Sequence, residues 1–313
     1  MAARGRRESL AAVEPGDPNL YRMRLKAHQL LVAAAGCALL FTAILVGVYH
    51  TAQGRWLDNA ALDGFLSTID SEHQKSIADS IAALCDPGPF LLIGLTIVAV
   101  ALYRRAPRRA AAVTVLLAGA STTTQILKPL LAKGRFDGDV VGFDHVINPI
   151  IGAPAFPSGH ATAAMSLALA GVIVAPRAWR PLVAAGGALF ALAVGFALVA
   201  LGWHYPSDVV GGYLVATTWA LVTLAAMRLA DARWPKPGTL RAVARTRATA
   251  VRDAVAPAAA IVAAAATGIG LARLDRITDF ATAHTATTVA AIGISVTAAA
   301  VVAAVSLVDQ RPR

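Results

Sequence analysis

The chain has 313 residues, of which 57% are hydrophobic and 15% charged, and its mean hydropathy is +0.62. This composition is too apolar for a soluble protein of that length and predicts an all-α, polytopic membrane protein. Lysine and arginine outnumber aspartate and glutamate by 28 to 18. They lie in short loops between apolar runs and form no basic-aromatic face, which argues against nucleic acid as a partner.

The first 80 residues comprise a basic segment, an apolar run and a segment of mixed polarity. Residues 1–28 are polar and basic, and the apolar run at about 29–49 exceeds the core of a cleavable signal peptide. We expect a retained first transmembrane helix there, because about 20 apolar residues cross a ~30 Å hydrocarbon core. Residues 56–80 have mixed polarity with apolar residues at helical spacing. They predict an interfacial helix, with an exposed loop as the alternative.

Seven further apolar runs bring the expected number of spans to about eight. They lie near 84–103, 110–131, 160–176, 182–203, 207–227, 254–272 and 286–308. Two cysteines, Cys37 and Cys85, fall in or beside separate runs without the spacing of a metal site. We expect both to be small buried hydrophobes, and we expect no zinc or iron–sulfur centre.

The loop cations predict the orientation. With the N-terminus inside, 21 of the 28 lysines and arginines fall in inner segments, which include 1–28, 228–252 and the arginine pairs near 104 and 108. Lys128, Lys133 and Arg135 are among the seven on the outer side. We therefore expect a multi-pass protein of the cell membrane, with the polar clusters described next on its extracytoplasmic face.

The first cluster is a pair of cations, Lys128 at the outer end of the third span and Arg135 seven residues later. A lysine beside the hydrocarbon either extends its ammonium to the interface or meets an anion. Arg135 alone is typical of an ordinary loop. The pair becomes informative only beside the other clusters.

The second cluster is Pro157-Ser158-Gly159-His160, which opens the fourth span. Serine is a favourable N-cap, and glycine lets backbone amides approach an anion closely. The positive end of the helix favours phosphate at this point, with His160 in the first turn. Pro-Ser-Gly by itself is also a common way to start a helix.

The third cluster is His204 with Asp208 four residues later, at the start of the sixth span. This spacing places both on one helix face, where the carboxylate can hold the second ring nitrogen of the imidazole and fix its tautomer. An oriented imidazole is a nucleophile or a base. A structural hydrogen bond is the alternative for such a pair.

Together the clusters resemble the type 2 phosphatidic acid phosphatase superfamily. That family carries Lys-x6-Arg-Pro, Pro-Ser-Gly-His and Ser-Arg-x5-His-x3-Asp on a six-helix membrane core. This chain has Phe136 in place of the first proline, and Ala197 and Leu198 in place of Ser-Arg. The resemblance covers about 30–229.

The resemblance implies a metal-independent reaction with no cofactor. His204 attacks phosphorus to form a phosphohistidine, Asp208 orients it, and His160 protonates the leaving oxygen and then activates water. Four further residues are expected to hold the phosphate oxygens: Lys128, Arg135, and the backbone amides of Ser158 and Gly159. Leu198 removes one guanidinium from this set, which leaves either a subfamily that works without it or a weakened enzyme.

The sequence thus predicts four segments. They are a cytoplasmic basic segment at 1–28, a phosphatase core at 29–229, a cytoplasmic basic linker at 230–253 and a transmembrane helix pair at 254–313. The expected activity is hydrolysis of a membrane lipid phosphate or pyrophosphate, with the bilayer and the lipid as partners. The alternatives are a weakly active or inactive protein that binds lipid or assembles with a partner, and a lipid phosphotransferase. The oligomeric state is left open.

Overall fold

The computed structural model describes residues 18–131, 155–234 and 274–308. In these ranges the chain is helical and has no strand, which confirms the predicted all-α class. The helices in chain order are α1 (Pro18–His50), α2 (Ala52–Leu66), α3 (Glu72–Ala83), α4 (Pro87–Tyr103), α5 (Pro107–Leu130), α6 (Gly159–Val174), α7 (Arg180–Ala200), α8 (Pro206–Arg233), α9 (Leu274–Ala283) and α10 (Thr285–Val308).

Five described helices are long and apolar enough to cross a membrane, and a bent pair, α3 with α4, raises that number to six if it forms one span. The five are parts or all of α1, α5, α7, α8 and α10. Helix α6 is apolar but has only 16 residues. The span predicted at 254–272 lies outside the described residues.

The segment of mixed polarity forms two helices, α2 and α3, which confirms that it is helical. Ser71 caps α3 by accepting a hydrogen bond from the Gln74 amide. Helix α2 buries one face, including Leu62 and Phe65, against the bundle. This face packs against α1, α7, α8 and α10.

Helices α6 and α8 form the centre of the bundle. Nearly every side chain of α6 is buried, and α8 is buried over most of its length, in contact with α1, α5 and α6. A helix that is apolar on all sides is expected in such a position, because no face of it meets a polar phase. The ends of α6 and α8 therefore lie in fixed positions relative to each other.

Helix α10 packs on this core along α2, α6, α7 and α8. The Thr287 hydroxyl donates to the Ala61 carbonyl of α2 at 3.2 Å. Of the two C-terminal transmembrane helices predicted from the sequence, the second corresponds to α10, and it is in contact with the bundle.

A group of arginines marks one end of the bundle. Arg108 pairs with Asp231 at the C-terminal end of α8, and the guanidiniums of Arg104 and Arg180 donate to the carbonyls that end α6, at 3.4 and 3.3 Å. Cations at helix C-termini are favourable because carbonyls there lack helical partners. The N-termini of α6 and α8 lie at the opposite end.

A close approach between α6 and α8 depends on Gly212. A Cβ at this position meets the Ser158 carbonyl oxygen at 2.7 Å and the Thr162 amide nitrogen at 2.9 Å. Both are backbone atoms, so the clash cannot be relieved by rotating a side chain.

We expect Gly212→Ala to force the two helices apart, to lower the free energy of unfolding by about 1–3 kcal/mol and to lower activity with it. The measurement is thermal unfolding of the purified protein in detergent. Gly186→Ala in α7 is the control, because an added Cβ there meets nothing within 4 Å. Equal melting temperatures for Gly212→Ala and Gly186→Ala would contradict this packing.

Candidate active site

The N-terminus of α6 carries the Pro-Ser-Gly-His cluster. Ser158 is the N-cap, and its hydroxyl oxygen accepts a hydrogen bond from the Ala161 amide at 3.3 Å. Its own amide donates to the Asp208 carbonyl in the first turn of α8 at 3.0 Å. Ser158 is fully buried, and both its hydroxyl and its backbone amide thus have hydrogen-bond partners within the protein.

This arrangement corrects the predicted role of Ser158. Its amide was expected to bind phosphate, but it is engaged with Asp208. The amides of Gly159 and His160 have no hydrogen-bond acceptor among the described residues. They are therefore the donors that α6 can offer to an anion, at the positive end of its dipole.

Lys128 lies directly beside this helix start. A Cβ added to Gly159 comes within 3.6 Å of the Lys128 ammonium nitrogen. One turn before Lys128, the Thr124 hydroxyl donates to the Thr162 hydroxyl at 3.2 Å and joins α5 to α6. Arg135, the other predicted cation, lies outside the described residues.

His204 lies in the turn between α7 and α8. It precedes Tyr205, the N-cap of α8, so it does not share a helix face with Asp208 as predicted. Gly202 has a φ of 69°, and the amide of Trp203 donates to the Leu198 carbonyl at 3.0 Å. This is a Schellman end, which reverses the chain after α7.

The same turn places His204 near Leu198. The His204 amide nitrogen lies 3.3 Å from the Leu198 carbonyl oxygen, so the turn brings the backbone of His204 back onto the last turns of α7. The Leu198 side chain is fully buried. The residue that stands in place of the family arginine therefore packs in the core under the turn.

Asp208 contacts His204 from the first turn of α8. Its Oδ2 accepts the Tyr205 amide at 3.0 Å and lies 3.4 Å from His204 Nδ1, which is long for an N–H···O bond. The carboxylate is completely buried and His204 is 7% exposed. Among the described residues, no hydrogen bond is made to the other ring nitrogen of His204, Nε2.

His160 has a carboxylate partner that the sequence did not indicate. Its Nε2 lies 2.9 Å from Oδ1 of Asp86, the residue that precedes α4. Its ring lies 5.9 Å from the ring of Trp203. A partner 74 positions away along the chain leaves no spacing signal in the sequence.

A second missed residue is Asp58 of α2. Its carboxylate accepts the Ser207 amide at 3.1 Å and the Ser207 hydroxyl at 2.6 Å, at the start of α8. Asp58 is 6% exposed. It anchors the first turn of α8, next to His204 and Asp208, on the neighbouring α2.

The structure therefore brings Lys128, Gly159, His160, His204 and Asp208 to one end of the bundle. It places two imidazoles, a cation and two helix amides close together at that end. Among the described residues there is no group of three or more His, Cys, Asp or Glu that could hold a metal ion.

Residues 109–231 match the family model of the PAP2 superfamily. The chain is also similar to the crystal structure of a transmembrane PAP2 type phosphatidylglycerolphosphate phosphatase from Bacillus subtilis. That match has 18% identity and a TM-score of 0.48, and covers 65% of this chain and 98% of that chain. No curated protein matches the sequence.

Leu198 provides a direct test of the packing under the turn. We expect Leu198→Arg to destabilise the protein by several kcal/mol without raising kcat/KM, because the new guanidinium replaces a fully buried apolar side chain. The measurements are thermal unfolding of the purified variant and its turnover of a lipid phosphate, the substrate class expected from the sequence.

Leu198→Met is the matched control, since it keeps volume and polarity and is expected to cost less than about 1.5 kcal/mol. A gain in kcat/KM with unchanged melting of Leu198→Arg would contradict the expectation. It would indicate that the pocket can still accept the cation found in the family pattern.

Proposed function

We propose that this protein hydrolyses a membrane lipid phosphate or pyrophosphate through a phosphohistidine on His204. The match of residues 109–231 to the PAP2 superfamily model supports this proposal. The observation that carries the proposal is the pairing of His204 with the buried Asp208, at the end of the bundle where Lys128 and the start of α6 also lie. An oriented imidazole beside phosphate-binding donors is suited to nucleophilic attack on phosphorus.

In the first step, His204 Nε2 attacks phosphorus and the bond from phosphorus to the leaving oxygen breaks. Asp208 holds the other ring nitrogen and stabilises the positive charge of the phosphorylated ring. His160 donates a proton to the leaving oxygen, which departs as an alcohol or a phosphate. The Lys128 ammonium and the amides of Gly159 and His160 bind the non-bridging oxygens as charge develops.

In the second step, a water molecule displaces the His204 nitrogen from phosphorus. His160, now neutral, takes a proton from the water as its oxygen attacks phosphorus. The N–P bond breaks, phosphate leaves and His204 returns to its neutral form. Every proton in this scheme is carried by residues of the chain, and no step requires a metal ion.

The site is proposed to face the extracytoplasmic side. The arginines at 104 and 108, assigned to the inner side by the cation distribution, lie at the end of the bundle opposite His204, and Arg180 lies at that same end. A site at the membrane boundary can bind an amphiphile directly from the outer leaflet. The substrate classes that fit are polyprenyl phosphates or pyrophosphates, polyprenyl-linked sugar phosphates and phosphatidate-type glycerolipids.

A second candidate follows from Leu198, whose buried side chain occupies the place of a family phosphate-binding arginine. One charge-assisted contact contributes about 1.5–3 kcal/mol, so its loss weakens phosphate binding or turnover unless it is compensated. The candidate is a protein that binds lipid phosphate with little turnover. A lipid phosphotransferase differs from the hydrolase in the acceptor alone, an alcohol in place of water.

We expect purified protein to release phosphate from at least one lipid phosphate in a panel of these classes, with EDTA present. His204→Ala should abolish release, because it removes the nucleophile. His160→Ala should lower the rate by about 10²–10⁴-fold, the range for general acid–base catalysis. Asp208→Asn should retain a residual rate, because the attacking nitrogen remains.

His73→Ala is the control, since His73 is an exposed histidine of α3. Lipid binding without release would favour the second candidate, and phosphate transfer to an added alcohol would favour the transferase. Turnover of His204→Ala at the wild-type rate would overturn the proposed mechanism.

A further inference from the structure

We propose that Asp86 is a positioning residue for His160, holding Nε2–H so that Nδ1 exchanges the proton with substrate. This proposal rests on the proposed function. It assigns each of the two imidazoles its own carboxylate: Asp208 for the nucleophile His204, and Asp86 for the acid His160. The starting observation is the 2.9 Å contact between Asp86 Oδ1 and His160 Nε2.

The sequence around Asp86 explains why its carboxylate is free to reach across. Asp86 is the N-cap of α4, and an N-cap side chain ordinarily accepts the amide of the second or third helical residue. Here the third helical residue is Pro89, which has no N–H, so the Gly88 amide is the one capping donor left at these two positions. Asp86 makes no side-chain cap bond, while its backbone carbonyl accepts the Phe90 amide at 2.9 Å.

Two side chains, Asp86 and Trp203, contact the imidazole ring of His160. Asp86 holds Nε2, and the Trp203 ring packs at a centroid distance of 5.9 Å. The His160 side chain is 27% exposed and that of Asp86 is 51% exposed, so a substrate can reach the pair from the surface. Among the described residues no hydrogen bond is made to Nδ1, which leaves that nitrogen for substrate.

The other charged or titratable groups at this end come from α5, from the start of α8 with the turn before it, and from α2, whose Asp58 accepts the Ser207 amide and hydroxyl. Lys128 lies beside Gly159, and His204 and Asp208 engage each other. Helices α7 and α10, which also pack on α6, have no titratable side chain at this end. Within the described residues, Asp86 is thus the carboxylate that acts directly on His160.

The proton path follows from this geometry. In the first step Nδ1–H of His160 passes to the leaving oxygen, while Nε2–H stays with Asp86. In the second step Nδ1 takes a proton from water as the water oxygen bonds to phosphorus. The ring begins and ends protonated on both nitrogens, and Asp86 remains ionised throughout.

The test compares leaving groups that differ in their need for a proton. We expect Asp86→Ala to lower kcat/KM for benzyl phosphate about tenfold and for 4-nitrophenyl phosphate less than about twofold, because nitrophenolate departs without protonation. Asp86→Glu should recover part of the loss. Asp63→Ala removes an exposed carboxylate of α2 and should change neither rate. Equal losses for the two esters in Asp86→Ala would overturn the proposal, since they indicate a structural role.

A second measurement is independent of turnover. Nitrogen-15 NMR of histidine-labelled protein reports the tautomer of each ring, with His160 assigned from the signal lost in His160→Gln. At a pH where the ring is neutral, the wild type should hold the proton on Nε2, and Asp86→Ala should give a mixture of tautomers. An unchanged tautomer would reject the role of Asp86 even if no ester is hydrolysed, whereas absence of turnover alone would count against the proposed function.

Discussion

The structure depends on the contact between the start of α6 and the first turns of α8. The Ser158 amide donates to the Asp208 carbonyl, and Gly212 lets the two backbones approach to a distance at which no Cβ fits. This contact is made of backbone atoms, which cannot change rotamer. It therefore fixes the distance between the amides that begin α6 and the imidazole of His204, which precedes α8, and it does so through backbone atoms alone.

Asp208 joins structure to chemistry at this contact. The carboxylate closes the N-terminus of α8 through the Tyr205 amide and contacts His204, while the carbonyl of the same residue holds Ser158. Burial of the carboxylate is tolerable because hydrogen bonds compensate for lost hydration. Asp58 adds a second anchor through Ser207, so the turn that carries His204 is held from both sides.

The sequence predicted the helical class and most helix positions because apolar runs are local signals. It also predicted that Lys128, His160, His204 and Asp208 form one site, and the structure places all four at the same end of the bundle. It misjudged the amide of Ser158 and the setting of His204, because a reversal at Gly202 depends on tertiary packing as well as on local sequence. Asp86 and Asp58 were missed since a contact between distant helices has no periodicity to reveal it.

The central claim is that phosphorus becomes bonded to His204. The most direct measurement is to mix the protein with a lipid phosphate labelled with phosphorus-32, stop the reaction in alkali and locate the label by peptide mapping. The account predicts label on the peptide that contains His204, stable in alkali, released in acid and absent from His204→Ala, because a phosphoramidate bond hydrolyses in acid. Phosphate release at an undiminished rate in His204→Ala, or label on a different residue, would contradict it.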